Sequence, residues 1–179
     1  MREYATQMEA ARKGIVTEEL KKVAQKELMT VEELMPLVAS GKAVICANKN
    51  HKQIDPQGIG SMLRTKINVN IGISKDCKDY DMEIKKVMQA VDMGAHAIMD
   101  LSSHGNTAPF RRKLTSECPA MIGTVPVYDS VIHYQRDLST LTAKDFIDVV
   151  RVHAEDGVDF VTLHSGITRE TIDQIKSIE

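Results

Sequence analysis

MIGTVPVY (residues 121–128) is one of four short apolar runs that end in residues able to do chemistry. The other runs are KINVNIG (66–72), AIMDLS (97–102) and DFVTLHSG (159–166). A helical pattern fits between most neighbouring runs. Residues 70, 99, 128 and 164, one near the carboxyl end of each run, lie 29, 29 and 36 residues apart. This spacing is typical of successive βα units, which place consecutive strands in one parallel sheet.

The carboxyl ends of the runs carry the first candidates for a functional site: Asn70, Met99, Tyr128 and His164. Ligands of parallel α/β barrels bind at the carboxyl ends of the strands, where side chains distant in sequence converge. An Asn amide and a Tyr hydroxyl can hydrogen-bond a ligand, and a Met side chain can form an apolar wall. His164 is the strongest candidate, because imidazole titrates near neutral pH and can donate to a phosphate. Each of the four also has a structural interpretation, as a turn, core or loop residue.

Helical signals precede the first run. Residues 3–13 and 18–28 are predicted to form helices, and a third helix begins at Thr30 with a capping box to Glu33. Residues 44–60 are polar and rich in turn residues. We therefore predict that this segment leads into the sheet and contains no strand.

Three further helices are predicted between the runs. The first carries an apolar stripe at helical spacing: Ile84, Val87, Met88 and Val91. The second spans residues 107–115 and ends before Pro119. The third is capped by Thr142 and ended by Gly157.

We predict an α/β fold: residues 1–60 form a helical amino-terminal region, and residues 61–179 form the first half of a (β/α)8 TIM-type barrel. A complete barrel normally takes about 250 residues, so about four βα units make half of one. The other half could belong to a longer protein or to a second chain; alternatively, the strands form a small open sheet. An uncovered half barrel would expose its inward-facing apolar residues. We predict that these residues include Ile67, Ile71, Ile98, Val125 and Val161.

Composition disfavours several classes of function. The chain has a formal net charge of -2 with both signs interspersed, which favours neither nucleic acid nor an anionic membrane as partner. No apolar stretch is long enough for a membrane span or a signal peptide, so we expect a cytoplasmic protein. Cys46, Cys77 and Cys118 are widely spaced, which predicts separate reduced thiols.

Other titratable residues have ordinary interpretations. His51 and His104 are predicted to be solvated loop residues, and His153 a surface or helix-packing residue. Residues 111–113, all basic, are predicted to form a solvated helix face. The sequence contains no His-x-x-x-His motif and no carboxylate–His cluster, so we predict no metal site.

Six blocks of the sequence, in collinear order, carry a resemblance to a known family. They are TQMEAARKGI (6–15), ANKNH (47–51), GIGSMLRTKINVNIG (58–72), IMDLS (98–102), IGTVPVY (122–128) and HAEDGVDFVTLHSG (153–166). The chain resembles the phosphomethylpyrimidine synthase family, which makes the thiamine pyrimidine. Six ordered blocks over nearly the whole chain are far more specific than a single short motif.

The resemblance implies a radical S-adenosylmethionine enzyme with a 4Fe-4S cluster, in which a deoxyadenosyl radical attacks 5-aminoimidazole ribotide bound in a barrel. The implied product is 4-amino-5-hydroxymethyl-2-methylpyrimidine phosphate. A divalent metal such as zinc and a homodimer are also implied. The residues implied to bind the substrate are the four at the strand ends: Asn70, Met99, Tyr128 and His164. The family's cluster cysteines and metal-binding histidines would lie beyond Glu179, so we expect this chain alone not to catalyse the reaction.

Three other functions stay open. Hydroxybenzimidazole synthase of anaerobic cobamide synthesis uses the same ribotide and fold and makes a different product. A chain without the cluster region could instead bind the ribotide or a partner protein without turnover. A generic barrel lyase or aldolase is less favoured, because it would need a strand-end Lys or paired carboxylates and neither lies beside His164.

Overall fold

Three short helices open the computed structural model, which describes residues 3–76 and 78–177 of the chain. They are α1 (Gln7–Arg12), α2 (Glu18–Glu27) and α3 (Val31–Ala39). Each begins after a threonine whose hydroxyl accepts a backbone N–H, as helix caps do: Thr6, Thr17 and Thr30. The three helices and the predicted capping box of Thr30 with Glu33 are confirmed, although α1 is shorter than predicted.

A short antiparallel hairpin follows the helices, where we predicted no strand. In this hairpin, β1 (Ala43–Cys46) pairs with β2 (Gln57–Gly60), so the prediction for residues 44–60 is wrong. Glycine makes the pairing possible: φ at Gly60 is +145°, and an added Cβ would lie 2.2 Å from the carbonyl oxygen of Lys42. The composition did not indicate these strands, because glycine usually marks a turn. Here glycine allows two strands to approach closely.

The helices and the hairpin enclose a hydrophobic cluster of their own. Its buried members are small and aliphatic: Ala11, Leu20, Val23, Ala24, Leu34, Val38, Ala43 and Ile45. Burial of a Leu, Val or Ile side chain contributes about 1.5–3 kcal/mol through the removal of apolar surface from water. Isolated helices of this length are marginal in water, so this packing is what stabilises them.

The second part of the chain forms a parallel sheet whose strand order follows the sequence. Its strands pair in the order β3 (Asn68–Ile71), β4 (Ala97–Asp100), β5 (Met121–Thr124) and β6 (Phe160–Val161). The predicted mixed α/β fold with a parallel sheet of four strands is confirmed. At least one helix lies in every connection, as parallel pairing of neighbouring strands requires.

The helices of this part are α4 (Tyr80–Asp92), α5 (Ala108–Glu117), α6 (Pro126–Tyr134), α7 (Ala143–Glu155) and α8 (Arg169–Lys176), and a 3-10 turn spans Leu138–Thr140. The three helices predicted between the runs are confirmed as α4, α5 and α7. The sequence-based prediction lacks α6, which begins at Pro126, inside the apolar run 121–128. Proline suits the first position of a helix because the N–H it lacks would be unpaired there. Among the residues described, none of the helices has the length and apolarity to span a membrane.

Several apolar strand residues that we predicted to be exposed are instead packed against the helices. Ile71 and Ile98 are buried together with side chains of α4 and α5, and Val125 is also buried. Val161 is half-buried, and Ile67, at 58% exposed, agrees with the prediction. Ile71 and Ile98 were assigned to the wrong face: they point to the helices, so the opposite face of the sheet carries other residues.

The loop between β1 and β2 is tied to the amino end of the sheet by a buried ion pair. His51 Nδ1 lies 2.7 Å from Asp159 Oδ2, and His51 Nε2 lies 2.7 Å from the carbonyl oxygen of Cys118. The prediction of a solvated loop histidine is therefore wrong for His51, which is 2% exposed. Asp159 also accepts hydrogen bonds from the backbone N–H groups of Asn48 and Ile122.

Hydrogen-bond acceptors face both ring nitrogens of His51, which favours the imidazolium form. Burial opposes this charge, but the hydrogen bond and negative charge of Asp159, with the Cys118 carbonyl, outweigh burial and raise the pKa of His51. The stabilisation from a raised pKa is complete below the unfolded value of 6.5 and is lost as the pH rises through the folded value.

We expect His51→Gln to lower the free energy of unfolding by about 3 kcal/mol at slightly acidic pH, because buried Asp159 loses its cationic partner. As the pH rises above 6.5, the wild-type protein should lose this advantage over the variant. Urea unfolding at several pH values measures the difference. His133→Gln, at an exposed histidine, is the control. A difference between wild type and His51→Gln that does not change with pH would contradict a charged His51.

Candidate functional site

Asn70 and Met99 lie side by side on the face of the sheet opposite to α4 and α5. The strand register pairs Asn70 of β3 with Met99 of β4. The same row continues through Gly123 of β5 to Phe160 of β6. Since strand side chains alternate and Ile98 packs against the helices, this row points to the other side. Asn70 is exposed, whereas Met99 is buried.

An aromatic ring closes this row by lying over a glycine. A Cβ added at Gly123 would lie 2.3 Å from Cζ of Phe160, far inside van der Waals contact. The Phe160 ring therefore occupies the space that any side chain at Gly123 would need. Met99 and Phe160 give the row apolar side chains, and Asn70 adds an amide on the edge strand.

Tyr128 and His164 form a second pair, beyond the strand ends. The prediction that Tyr128 lies at the end of a strand is wrong. Strand β5 ends at Thr124, and Tyr128 lies in the first turn of α6. His164 follows β6 in a segment without helix or strand. The two rings are tilted by 41° with their centroids 5.8 Å apart, which is within the range of aromatic contact. Tyr128 remains 39% exposed.

Thr162 connects the two pairs, and the sequence-based reasoning missed it. Its N–H donates to the carbonyl oxygen of Thr124 over 2.8 Å, which continues the pairing of β5 with β6. Its hydroxyl donates to Sδ of Met99 over 3.9 Å. Thr162 lies two residues from Phe160 and two from His164. That same-face spacing is the signal in the sequence that could have identified it.

A cleft of about 400 Å³ opens beside Asn70 at the carboxyl end of β3. Its lining includes residues 70–74 and two charged residues of α4, Glu83 and Lys86. Glu83 is buried; its carboxylate accepts the Gly72 N–H over 3.1 Å and pairs with Lys86. Asn70 thus borders both the apolar row and a cleft with charged walls, whereas Met99, Tyr128 and His164 do not line this cleft.

A buried polar network lies behind the first turn of α6. Asp129 in this turn accepts hydrogen bonds from the Thr107 hydroxyl, from Arg111 Nη1 (3.0 Å) and from His153 Nε2 (2.9 Å). The other ring nitrogen of His153 lies 2.8 Å from the Thr124 hydroxyl at the end of β5. His153, on α7, is therefore a helix-packing residue, one of the two roles predicted for it.

Arg111 is the buried cation of this network, which corrects the prediction that residues 111–113 form a solvated face. Its guanidinium also donates to Asp156 Oδ2 through Nε (2.9 Å) and Nη2 (2.7 Å), and the residue is 2% exposed. Arg112 and Lys113 have exposed or half-exposed side chains, as predicted. The acidic partners of Arg111 lie in α6 and directly after α7, 18 and 45 residues away in the chain, so no local charge pattern around position 111 reveals its burial.

The network keeps Asp129 ionised. Burial opposes the negative charge, but hydrogen bonds from His153 and Thr107 and the charge of Arg111 outweigh it and lower the pKa of Asp129 to about 2. The carboxylate therefore stabilises the fold at pH values above its ordinary pKa of 3.8, and this stabilisation is lost as the pH falls through about 2.

The described residues do not fit an iron–sulfur cluster or a bound metal ion. Within residues 3–76 and 78–177, no group of three His, Cys, Asp or Glu side chains is placed to hold a metal. Cys46 and Cys118 are free thiols, as predicted. Burial raises the pKa of Cys46 to about 11 and also raises that of Cys118, whereas metals bind the thiolate. Cys77 lies outside the described residues.

The structure is that of an α/β protein with a parallel sheet of four strands. In this class of proteins, ligands commonly bind at the edge formed by the carboxyl ends of the strands. Residues 6–179 match the model of the Radical SAM ThiC family. The chain belongs to this family, so the predicted family resemblance is confirmed.

Relatives with a known name support the same assignment. The chain is 58% identical over 173 residues to phosphomethylpyrimidine synthase of Alkaliphilus oremlandii (strain OhILAs), which covers 97% of this chain and 40% of the relative. It is 58% identical over 168 residues to that of Clostridium kluyveri (strain NBRC 12016), which covers 94% of this chain and 38% of the relative. It is 54% identical over 176 residues to that of Clostridioides difficile (strain 630), with coverages of 98% and 41%. The chain thus spans about two fifths of the length of these relatives.

We expect Gly123→Ala to lower the free energy of unfolding by about 1–3 kcal/mol, because the new Cβ must displace the Phe160 ring. Gly166→Ala is the matched control, since no atom lies within 4 Å of a Cβ added there. Chemical denaturation measures both changes, and Phe160→Leu in the Gly123→Ala background should recover part of the loss. If Gly123→Ala and Gly166→Ala have the same effect, the ring does not lie over Gly123.

Proposed function

We propose that this chain belongs to an enzyme of thiamine biosynthesis that converts 5-aminoimidazole ribotide to 4-amino-5-hydroxymethyl-2-methylpyrimidine phosphate. The observation that carries the proposal is the high identity to phosphomethylpyrimidine synthases over nearly the whole chain. The shared name of these relatives favours the thiamine pyrimidine over hydroxybenzimidazole as the product.

We propose that the ribotide binds to Asn70 and Met99 on the sheet and to Tyr128 and His164 beyond the strand ends. The ligand offers a flat ring and a phosphate. A flat ring can pack on the apolar side chain of Met99 while the Asn70 amide donates to or accepts from its nitrogens. The His164 imidazole and the Tyr128 hydroxyl can donate hydrogen bonds to the polar groups of the ligand. The partial exposure of Tyr128 and the exposure of His164 support this role.

We further propose that the four strands are the first half of a (β/α)8 barrel. Their sequential order supports the proposal, because each strand of such a barrel pairs with the next along the chain. In a barrel, the row from Asn70 to Phe160 would face the interior, and His164 would lie at the carboxyl-terminal mouth, where barrel enzymes bind substrates. The proposal includes a homodimer, which the family resemblance implies, and a cytoplasmic location.

The family description implies S-adenosylmethionine and an iron–sulfur cluster as cofactors. We propose that other parts of the complete enzyme hold the cluster and a divalent metal such as zinc, because the described residues fit neither. The work of the residues described here is then to bind and orient the ribotide.

We expect the protein at its natural full length to bind 5-aminoimidazole ribotide, and His164→Ala to weaken the affinity about tenfold, because a hydrogen bond to a charged ligand is lost. Isothermal titration calorimetry measures both dissociation constants. His133→Ala is the matched control, since it removes an exposed histidine near the end of α6 and away from the strand ends.

The titration separates two ways in which the proposal can fail. A folded wild-type protein that does not bind the ribotide would contradict the proposed substrate. Binding that His164→Ala and His133→Ala leave equally unchanged would instead contradict the proposed site. Weaker binding by His164→Ala alone would support both.

A further inference from the structure

The first turn of α6, which carries Tyr128, begins without a side-chain cap. Val125 precedes the helix and makes no capping hydrogen bond, and Pro126 is its first residue. By contrast, the side chains of Asp79 and Thr142 cap α4 and α7. The position of this turn must therefore be fixed by contacts of another kind.

Asp129 provides these contacts. It is the residue after Tyr128, is 8% exposed, and accepts hydrogen bonds from three donors. The donors come from the residue before α5, from α5 itself and from α7: Thr107, Arg111 and His153. A buried carboxylate held by three donors cannot shift or rotate without leaving a buried donor unpaired, which is costly.

This contact also fixes the direction of Tyr128. Successive residues of an α-helix are separated by about 100° around its axis, so Asp129 and Tyr128 point to different sides of α6. When Asp129 is held, the rotation of the first turn is held with it. Tyr128 is then directed outward, where its ring contacts that of His164 at a centroid distance of 5.8 Å.

We propose that Asp129, together with Arg111 and His153, is a positioning residue that orients Tyr128 towards the ribotide. This inference rests on the proposed function, in which Tyr128 contacts the ligand. Apolar side chains of similar volume would pack α6 at a lower desolvation cost, so packing alone does not account for buried charges. A carboxylate that is hydrogen-bonded on several sides also restricts the turn to one orientation.

The test is a double-mutant cycle that measures ribotide affinity in the protein at its natural full length. Asp129→Asn keeps the size of the side chain and removes its charge, so we expect the dissociation constant to rise about tenfold. In a Tyr128→Ala background, Asp129→Asn has no ring to orient, and we expect a change of less than about twofold. A residue that merely stabilises the fold would not show this dependence on Tyr128.

Two further variants keep the test decisive. Thr107→Val removes one donor to Asp129 and preserves the shape of the side chain, so we expect a smaller loss, about threefold, that also disappears in the Tyr128→Ala background. Lys113→Gln changes a half-exposed side chain on the same helix as Arg111 and should leave the affinity unchanged. Urea unfolding of each variant shows whether it is folded.

The outcomes distinguish this inference from the proposed function. If Asp129→Asn weakens binding equally in both backgrounds, the inference is overturned and the proposed function stands. If the folded wild-type protein does not bind the ribotide, both are overturned. If Asp129→Asn does not fold, the same comparison made with Thr107→Val decides: a loss confined to the Tyr128 background supports the inference, and an equal loss overturns it.

Discussion

The layer of isoleucines between the sheet and its helices fixes the orientation of the strand side chains. Ile98 and Ile122 are fully buried register partners on neighbouring strands, and both belong to the cluster that includes Leu114 of α5. Because alternate side chains of a strand point to opposite faces, this packing turns Met99 and Gly123 to the other side. A slip of one residue would bury Met99 against the helices, so the core and the candidate site cannot vary independently.

Two buried carboxylates hold the opposite ends of this sheet. Asp159 joins the loop between β1 and β2 to the start of β5, and Asp129 joins α6 to α5 and α7. Buried ion pairs add little net stability, because desolvation offsets their attraction. They do exclude other arrangements, since a displaced partner leaves a charge buried and unpaired. The apolar cluster thus stabilises the sheet, while the carboxylates determine how the surrounding segments attach to it.

The range of each interaction explains which features could be predicted from the sequence. The caps of α3 and α7 link residues three positions apart, so Thr30 and Thr142 are recognisable in a single window. The partners of the buried ion pairs have no such spacing: His51 and Asp159 are 108 residues apart in the chain. The hairpin and α6 were missed for a different reason. Glycine and proline, which usually mark turns, here permit close strand approach and begin a helix.

The two pairs of candidate residues are held in position in different ways, so different neighbours determine the geometry of each pair. Asn70 and Met99 are register partners, so strand pairing alone sets their separation. Tyr128 and His164 lie beyond the strands, where pairing sets nothing, and their contact depends on how α6 and the segment after β6 are attached. Asp129 already accepts three hydrogen bonds from buried donors, so its carboxylate is occupied within the protein. The residue that orients the first turn of α6 is thus a different residue from the one that faces the candidate site, Tyr128.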